Sequence, residues 1–411
     1  MDEHSISRHA GRLLAAMRPF VEAMTRPELG RLLADPETCD FLAGNPQEVA
    51  SPEYVETLRR WAVPRDKAWF AYKMADPAAQ TAAAEGLSRE LGLAFEPQDI
   101  LLARGAHGGL ANALGAVVEP GDEVVFVSPP WFFYEALILG AGATPVRVRV
   151  DQATFDLDLG AIERALTPRS RAVILNTPHN PTGKIYPPAS LEHLAAILET
   201  ASRRNGRPIY LLSDESYSRI LFDGHRFHTP ARFYRYTFLV HTYSKRRSRR
   251  ANVWGSSPCR RPCPTGSPCA WPSSPSAWPS ARACRTRSCS TRCPTSSGCR
   301  STSSTCSKRD RLLGALREQG YQVRTPEGTF YLLPRCPMPD DGVFAERLAR
   351  DKVVVPSGRA VEMPGYMRLS LTATDAMIER ALPVLATGSR PRTDVKAEAW
   401  LPQSAYVTRP W

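Results

Sequence analysis

Four clusters in the first 245 residues gather side chains that could do chemistry: Gly105-Ala106-His107-Gly108-Gly109, Asn176 with Asn180-Pro181-Thr182-Gly183, Asp214-Glu215-Ser216-Tyr217, and Ser244-Lys245. Between them they offer an amine, two adjacent carboxylates, and amide and hydroxyl groups. Each residue alone has an ordinary explanation. A lysine after a strand is commonly a solvated surface residue, and Asp-Glu before Ser-Tyr is commonly a turn. Trp131 alone fits a core, and Arg368 a salt bridge. Metal chemistry is not indicated, because His107 has no second His, Cys or Asp at ligand spacing. Residues 105–109 are not a dinucleotide fingerprint, and Thr182-Gly183-Lys184 lacks the spaced glycine and hydroxyl of a phosphate loop.

Placement gives the clusters their weight. Short apolar runs bounded by turn signals, at 100–103, 123–127, 145–150, 172–175, 209–212 and 237–241, read as strands of a mostly parallel α/β sheet. Leu191, Leu194, Ile197, Leu198 and Ala201 follow helical spacing between two of them, with Ser190 as the expected N-cap. A helix is expected over 310–319 and a strand over 329–333. Each polar cluster follows a strand, and in doubly wound sheets ligands bind outside the carboxyl ends of strands. Order and spacing therefore direct all four clusters toward one crevice.

Taken together these motifs resemble the fold-type I pyridoxal-phosphate enzymes, specifically the class I/II aminotransferase family, over roughly residues 40–245 and 307–385. The resemblance implies transamination between an L-amino acid and a 2-oxo acid. In it Lys245, in Thr-Tyr-Ser-Lys, forms the Schiff base with the cofactor aldehyde, and Asp214 holds the pyridine nitrogen protonated. It further implies that Tyr217 and Asn180 donate to the phenolic oxygen, that the Ala106 and His107 amides and the Ser244 hydroxyl bind the phosphate, and that Trp131 stacks on the ring. Tyr72 resembles the tyrosine that reaches the phosphate of a neighbouring subunit, which implies a homodimer. Gly44, in Gly-Asn-Pro, and Arg368, in Met-Arg-Leu-Ser, together with Asn180, match the substrate side, where an arginine grips the α-carboxylate. Other reactions on the same scaffold, of C–S lyase or decarboxylase type, share these cofactor contacts.

One stretch departs from this pattern. Residues 246–306 contain no acidic residue and no Leu, Ile, Phe, Tyr or Met, yet hold eleven arginines and eight of the ten cysteines. They carry +11 of the net charge of +12, so the basic balance says nothing about nucleic acid for the rest of the chain. The cysteines include no Cys-x-x-Cys and the stretch has no histidine, which disfavours zinc; a disulfide module would need an oxidising compartment. An arginine-serine-rich, RNA-binding insert remains physically possible. The family pattern, however, expects an arginine where Val253 stands, with a glycine two residues on. If each codon is rebuilt from the last base of one codon and the first two of the next, Asn252-Val253 yields Arg or Cys, Val253-Trp254 yields Leu, Met or Val, and Trp254-Gly255 can only yield Gly. The block therefore reads as translated out of frame, and is expected to be disordered or misfolded, leaving a catalytically impaired product as an alternative.

Outside the block only Cys39 and Cys336 remain, the N-terminus lacks an apolar signal-peptide run, and no stretch approaches a membrane span. A cytoplasmic enzyme with no nucleic-acid or membrane partner is expected. Its large cofactor-binding domain would span 48–300, and a smaller α/β domain would combine 1–47 with 307–386. A loop-like tail, 387–411, would follow.

Overall fold

The computed structural model describes residues 6–45, 47–245, 254–256 and 303–388. The expectations for the remainder of the 246–306 block and for residues 389–411 lie outside these described residues. The chain opens with α1 (Arg8–Met24), whose N-cap Ser7 hydroxyl accepts from the Ala10 amide at 3.1 Å, and α2 (Pro27–Ala34), begun by a proline that spares an unpaired donor. A short strand, β1 (Cys39–Asp40), precedes α3 (Pro52–Ala62), which buries none of its residues. In α4 (Pro77–Leu91), by contrast, Ala83, Ala84, Leu87 and Leu91 are buried, and Gly92 ends it at φ +63.

Strand and helix then alternate through β2 (Leu102–Arg104), α5 (Gly105–Val117), β3 (Glu123–Ser128), α6 (Tyr134–Gly140), β4 (Thr144–Arg149), α7 (Leu159–Ala165), β5 (Ser170–Asn176), α8 (Pro188–Asn205), β6 (Tyr210–Asp214) and β7 (Thr237–Thr242), before β8 (Trp254–Ser256). These form a seven-stranded sheet in the order β2-β8-β7-β6-β5-β3-β4. Strands β4, β3, β5, β6 and β7 are mutually parallel; β8 runs antiparallel to both its neighbours. Alternation explains the layers. Val125, Val127, Val173, Leu175 and Leu211 face one core with Leu191, Leu194 and Leu198 of α8. Val124, Phe126, Ala172, Ile174 and Leu212 face another with Leu110 and Leu114 of α5. Burial on both faces is why these strands read as unbroken apolar runs.

The remaining elements are α9 (Ser303–Glu318), β9 (Tyr331–Leu332), α10 (Asp341–Arg350), β10 (Val353–Val354), β11 (Leu369–Ser370) and α11 (Asp375–Gly388). Strand β1 pairs in parallel with β10, and β9 pairs antiparallel with β11, so the N-terminal chain re-enters beside the C-terminal part. A separate core gathers Phe41, Leu312, Leu316, Phe344, Leu348 and Leu385. Among the described residues no helix is long and apolar enough to cross a membrane.

All six early strands form, each shifted by one or two residues at its ends. Four local expectations need correcting. Helix α8 begins at Pro188 with Pro187 as its cap, so Ser190 lies inside the first turn and its hydroxyl donates instead to Asp156 Oδ1 at 3.2 Å. Strand β9 covers only Tyr331–Leu332 of the expected 329–333, because its pairing with β11 is two residues long. Helix α9 starts at Ser303, where buried Lys308 and Arg309 anchor it through Glu48 and Asp223. Helix α11 continues to Gly388, so residues 387 and 388 are helical and not loop.

Candidate active site

The carboxyl ends of β2, β5, β6 and β7 open on one cavity of about 610 Å³, whose wall includes Arg104 to His107, Asn176, Asn180, Asp214 and Ser244-Lys245. Leu42 to Asn45, Tyr331 and Arg368 close it from the other side. Of the residues singled out from the sequence, Gly44, Ala106, His107, Trp131, Asn180, Asp214, Tyr217, Ser244, Lys245 and Arg368 all line this cavity. Tyr72 does not; its side chain stands fully exposed, at 108% relative accessibility.

Asp214 ends β6 and is buried. Tyr134 Oη donates to Oδ2 at 2.7 Å, and the Ser216 hydroxyl and amide donate to Oδ1 at 2.6 and 3.1 Å. Burial pushes its pKa up, while the Ser216 and Tyr134 donors, and more weakly the Lys245 charge, pull it back. The result is a carboxylate fixed in orientation and short of water. Lys245 follows the end of β7, and its Nζ donates only at long range, 3.3 Å, to the Gly44 carbonyl. A Cβ at Gly44 would overlap the Tyr331 hydroxyl and the Phe330 ring, so glycine is required there.

Helix α5 begins directly at Gly105, which takes φ +70, and no side chain caps it. Its first amides therefore face the cavity end without a capping acceptor, an arrangement suited to an anion. Ser244 lies nearby in the same wall, its hydroxyl 3.0 Å from Thr242 Oγ1. Trp131 is half-buried, edge-on to His107 with ring centroids 5.9 Å apart. The Asn180 backbone N–H donates to Asn176 Oδ1 at 2.7 Å, and the Asn180 side-chain Oδ1 accepts from Arg368 at 3.3 Å. Burial, then the neighbouring Tyr331 phenol, pushes the Tyr217 hydroxyl up, so it stays a proton-bearing donor.

Arg368 is buried, lies over the Tyr331 ring at 4.3 Å, donates to the Leu42 carbonyl at 2.9 Å, and keeps a buried Nε with no hydrogen-bond partner among the described residues. An orphaned guanidinium donor on a cavity wall suits a carboxylate ligand. His179 is a different case. Burial drops its pKa to about 3, and Nδ1 contacts Thr182 Oγ1 at 2.8 Å, so it is loop scaffolding and not an acid–base group. Among the described residues no cluster of His, Cys, Asp or Glu could hold a metal.

An amine, a buried oriented carboxylate, hydroxyl and amide donors, and an open helix N-terminus in one cavity fit pyridoxal phosphate. Sequence reasoning missed Tyr134 and Tyr331, and gave no role to Ser216 or Asn176 although both stand in its polar clusters. Ser216 had a signal, since a serine two residues after an aspartate commonly turns back on it. Tyr134 had none, because its contact with Asp214 joins segments that only the fold brings together. It also missed that Phe20, Met24, Leu29 and Leu32 of α1 and α2 line the cavity, with Phe20 stacked on Phe132 at 4.4 Å.

A family model described as aminotransferase class I and II matches residues 41–251 and 298–385, breaking off only within the arginine- and cysteine-rich block. The aspartate/prephenate aminotransferase of Thermus thermophilus is 28% identical over 396 residues, 91% of this chain and 97% of that protein. A probable aspartate/prephenate aminotransferase of Thermus aquaticus is 30% identical over 349 residues, 83% of this chain and 88% of that one. Among solved structures, aspartate aminotransferase from Thermus thermophilus with maleate superposes with a TM-score of 0.69 at 26% identity, covering 93% of this chain and 99% of that chain. With most of its length matched and the same α/β architecture around the crevice, the chain belongs to the class I and II aminotransferase family and is a pyridoxal-phosphate-dependent aminotransferase.

Proposed function

We propose that Lys245 is the residue that holds the cofactor and moves the proton at the substrate Cα while an amino group passes between an L-amino acid and a 2-oxo acid. The meeting of the Lys245 amine, the buried Asp214 carboxylate and the open N-terminus of α5 in one cavity carries this reading. Bound there, pyridoxal phosphate supplies an aldehyde for the amine and a ring that withdraws electrons from Cα. Asp214, its plane fixed by Tyr134 and Ser216, would take the ring nitrogen. Tyr217 and Asn180 would donate to the phenolic oxygen, and Trp131 would cover the ring face. The Ala106 and His107 amides and the Ser244 hydroxyl would hold the phosphate. Arg368 would bind the α-carboxylate beside Gly44, with the unpartnered Nε as its free donor.

The reading includes a homodimer in which Tyr72 reaches the phosphate site of a second copy; its full exposure and its place outside its own cavity support this. The domain division that goes with it assigns 48–300 to the large domain, 1–47 with 307–386 to the small one, and 387–411 to a tail. Cytoplasmic residence accords with Cys39 and Cys336 as buried free thiols. The block at 246–306 is read as out of frame. The break in the family match supports that, as does the strand Trp254–Ser256, which falls where the shifted reading starts an apolar strand around Gly255. Sequencing codons 245–307 from independent DNA tests it: compensating single-base changes are expected, and unaltered reads would leave a damaged gene.

Product analysis tests the reaction. Amino transfer that requires a 2-oxo acid acceptor is expected, whereas acceptor-independent release of pyruvate or ammonia would favour the lyase alternative.

A further inference from the structure

Among the described residues few cations line the crevice, and most are committed. Lys245 is the amine at its reacting end, and Arg368 is fastened to Leu42 and Asn180. Arg359 is held by Asp340 at 3.0 Å and Asp341 at 3.1 Å. Arg26 belongs to the turn between α1 and α2, away from the strand ends in the chain. Arg104 is different. It is the last residue of β2, paired there with Trp254 of β8, immediately precedes the first amide of α5, lines the cavity and is exposed, and its side chain makes no hydrogen bond or ion pair with the described residues.

We propose, on the reading that this crevice holds pyridoxal phosphate, that Arg104 is the guanidinium that binds the cofactor phosphate. A phosphate monoester carries about −1.5 to −2 charges near neutral pH, whereas a helix N-terminus offers the equivalent of roughly half a positive charge. The α5 amides and the Ser244 hydroxyl supply hydrogen bonds but leave most of that charge unmatched. The sheet register puts Arg104 at the right corner. Ala103 of β2 and Thr242 of β7 both face Gly255 from opposite sides of β8. The ends of β2 and β7 are therefore two strand spacings apart, about 10 Å. An anion between Ser244 and the α5 amides lies within reach of an extended arginine from β2. Val253 stands where the family pattern expects an arginine, and residues 251–256, which lead into β8, carry no charge; Arg246, Arg247, Arg249 and Arg250 lie outside the described residues. A guanidinium also matches phosphate oxygens in pairs, which an ammonium does not.

The test is equilibrium binding of two probes, pyridoxal phosphate and pyridoxal, to the full chain and to its Arg104→Gln and Arg104→Lys variants, followed by visible absorbance and equilibrium dialysis. Arg104→Gln is expected to weaken pyridoxal phosphate about ten- to a hundredfold, the loss of one charge-assisted contact, and to leave pyridoxal unchanged. Arg104→Lys should recover part of the loss. Unchanged affinity of Arg104→Gln for pyridoxal phosphate would overturn the assignment of Arg104 alone, and so would an equal loss for both probes. Failure of the unsubstituted chain to bind either probe would contradict the reading of the crevice itself, and with it this one.

Discussion

The crevice at the strand ends and the arm formed by residues 49–74 treat polar and apolar groups in opposite ways. In the crevice, buried polar side chains have found partners: Asp214 has Tyr134 and Ser216, and Asn176 accepts from the Asn180 backbone amide and donates to the Asp214 carbonyl. In the arm, large apolar side chains lie open, with Phe70 at 75%, Tyr72 at 108% and Met74 at 106% exposure, and α3 buries nothing. Yet the arm is ordered within itself. Trp61 and Trp69 stack at 5.7 Å, and Arg65 lies 4.1 Å over Trp61. The crevice meets most of its polar groups within one copy of the chain, whereas the arm's apolar face is left open, the face that the proposed second copy would cover.

The largest expected effect lies in the crevice. Lys245→Ala should lower turnover by on the order of 10⁴-fold or more, as loss of a reacting group does, measured in a steady-state assay. Asp214→Asn should come next, at about 10²- to 10³-fold in kcat, because it removes an oriented charge and keeps the shape. On the arm, Phe70→Ser with Met74→Ser should shift the chain from dimer to monomer in sedimentation. Tyr72→Phe should leave the dimer intact and weaken cofactor binding by about tenfold, the loss of one hydrogen bond. Dimers that survive the double substitution would break the contrast between the regions.

The smallest effect concerns pH. Burial raises the Glu215 pKa to about 8 against an ordinary 4.5, although Ser213 and Thr229 donate to it. The fold therefore favours the neutral carboxyl. That contribution is complete below about pH 4.5 and is lost as pH rises through 8. Glu215→Gln should flatten melting temperature against pH across this window; an unchanged slope would remove Glu215 as its source.

How far the sequence could be read follows the same divide. Strands β3 and β5 were legible because both faces are buried, which leaves continuous apolar runs. The placement of Lys245 and Asp214 on one cavity was legible because both follow strand ends, where ligands gather in such sheets. The Tyr134 contact and the α1–α2 wall were not, since both depend on packing between distant segments. Ser190 misled because a serine before an apolar run marks a cap only when no proline has already begun the helix.

The central claim is that Lys245 carries the cofactor in this crevice. Incubating the purified chain with pyridoxal phosphate, reducing with borohydride and mapping peptides by mass spectrometry tests it directly. The account predicts the pyridoxyl-phosphate mass on Lys245; its appearance on another lysine, or on none, would contradict it.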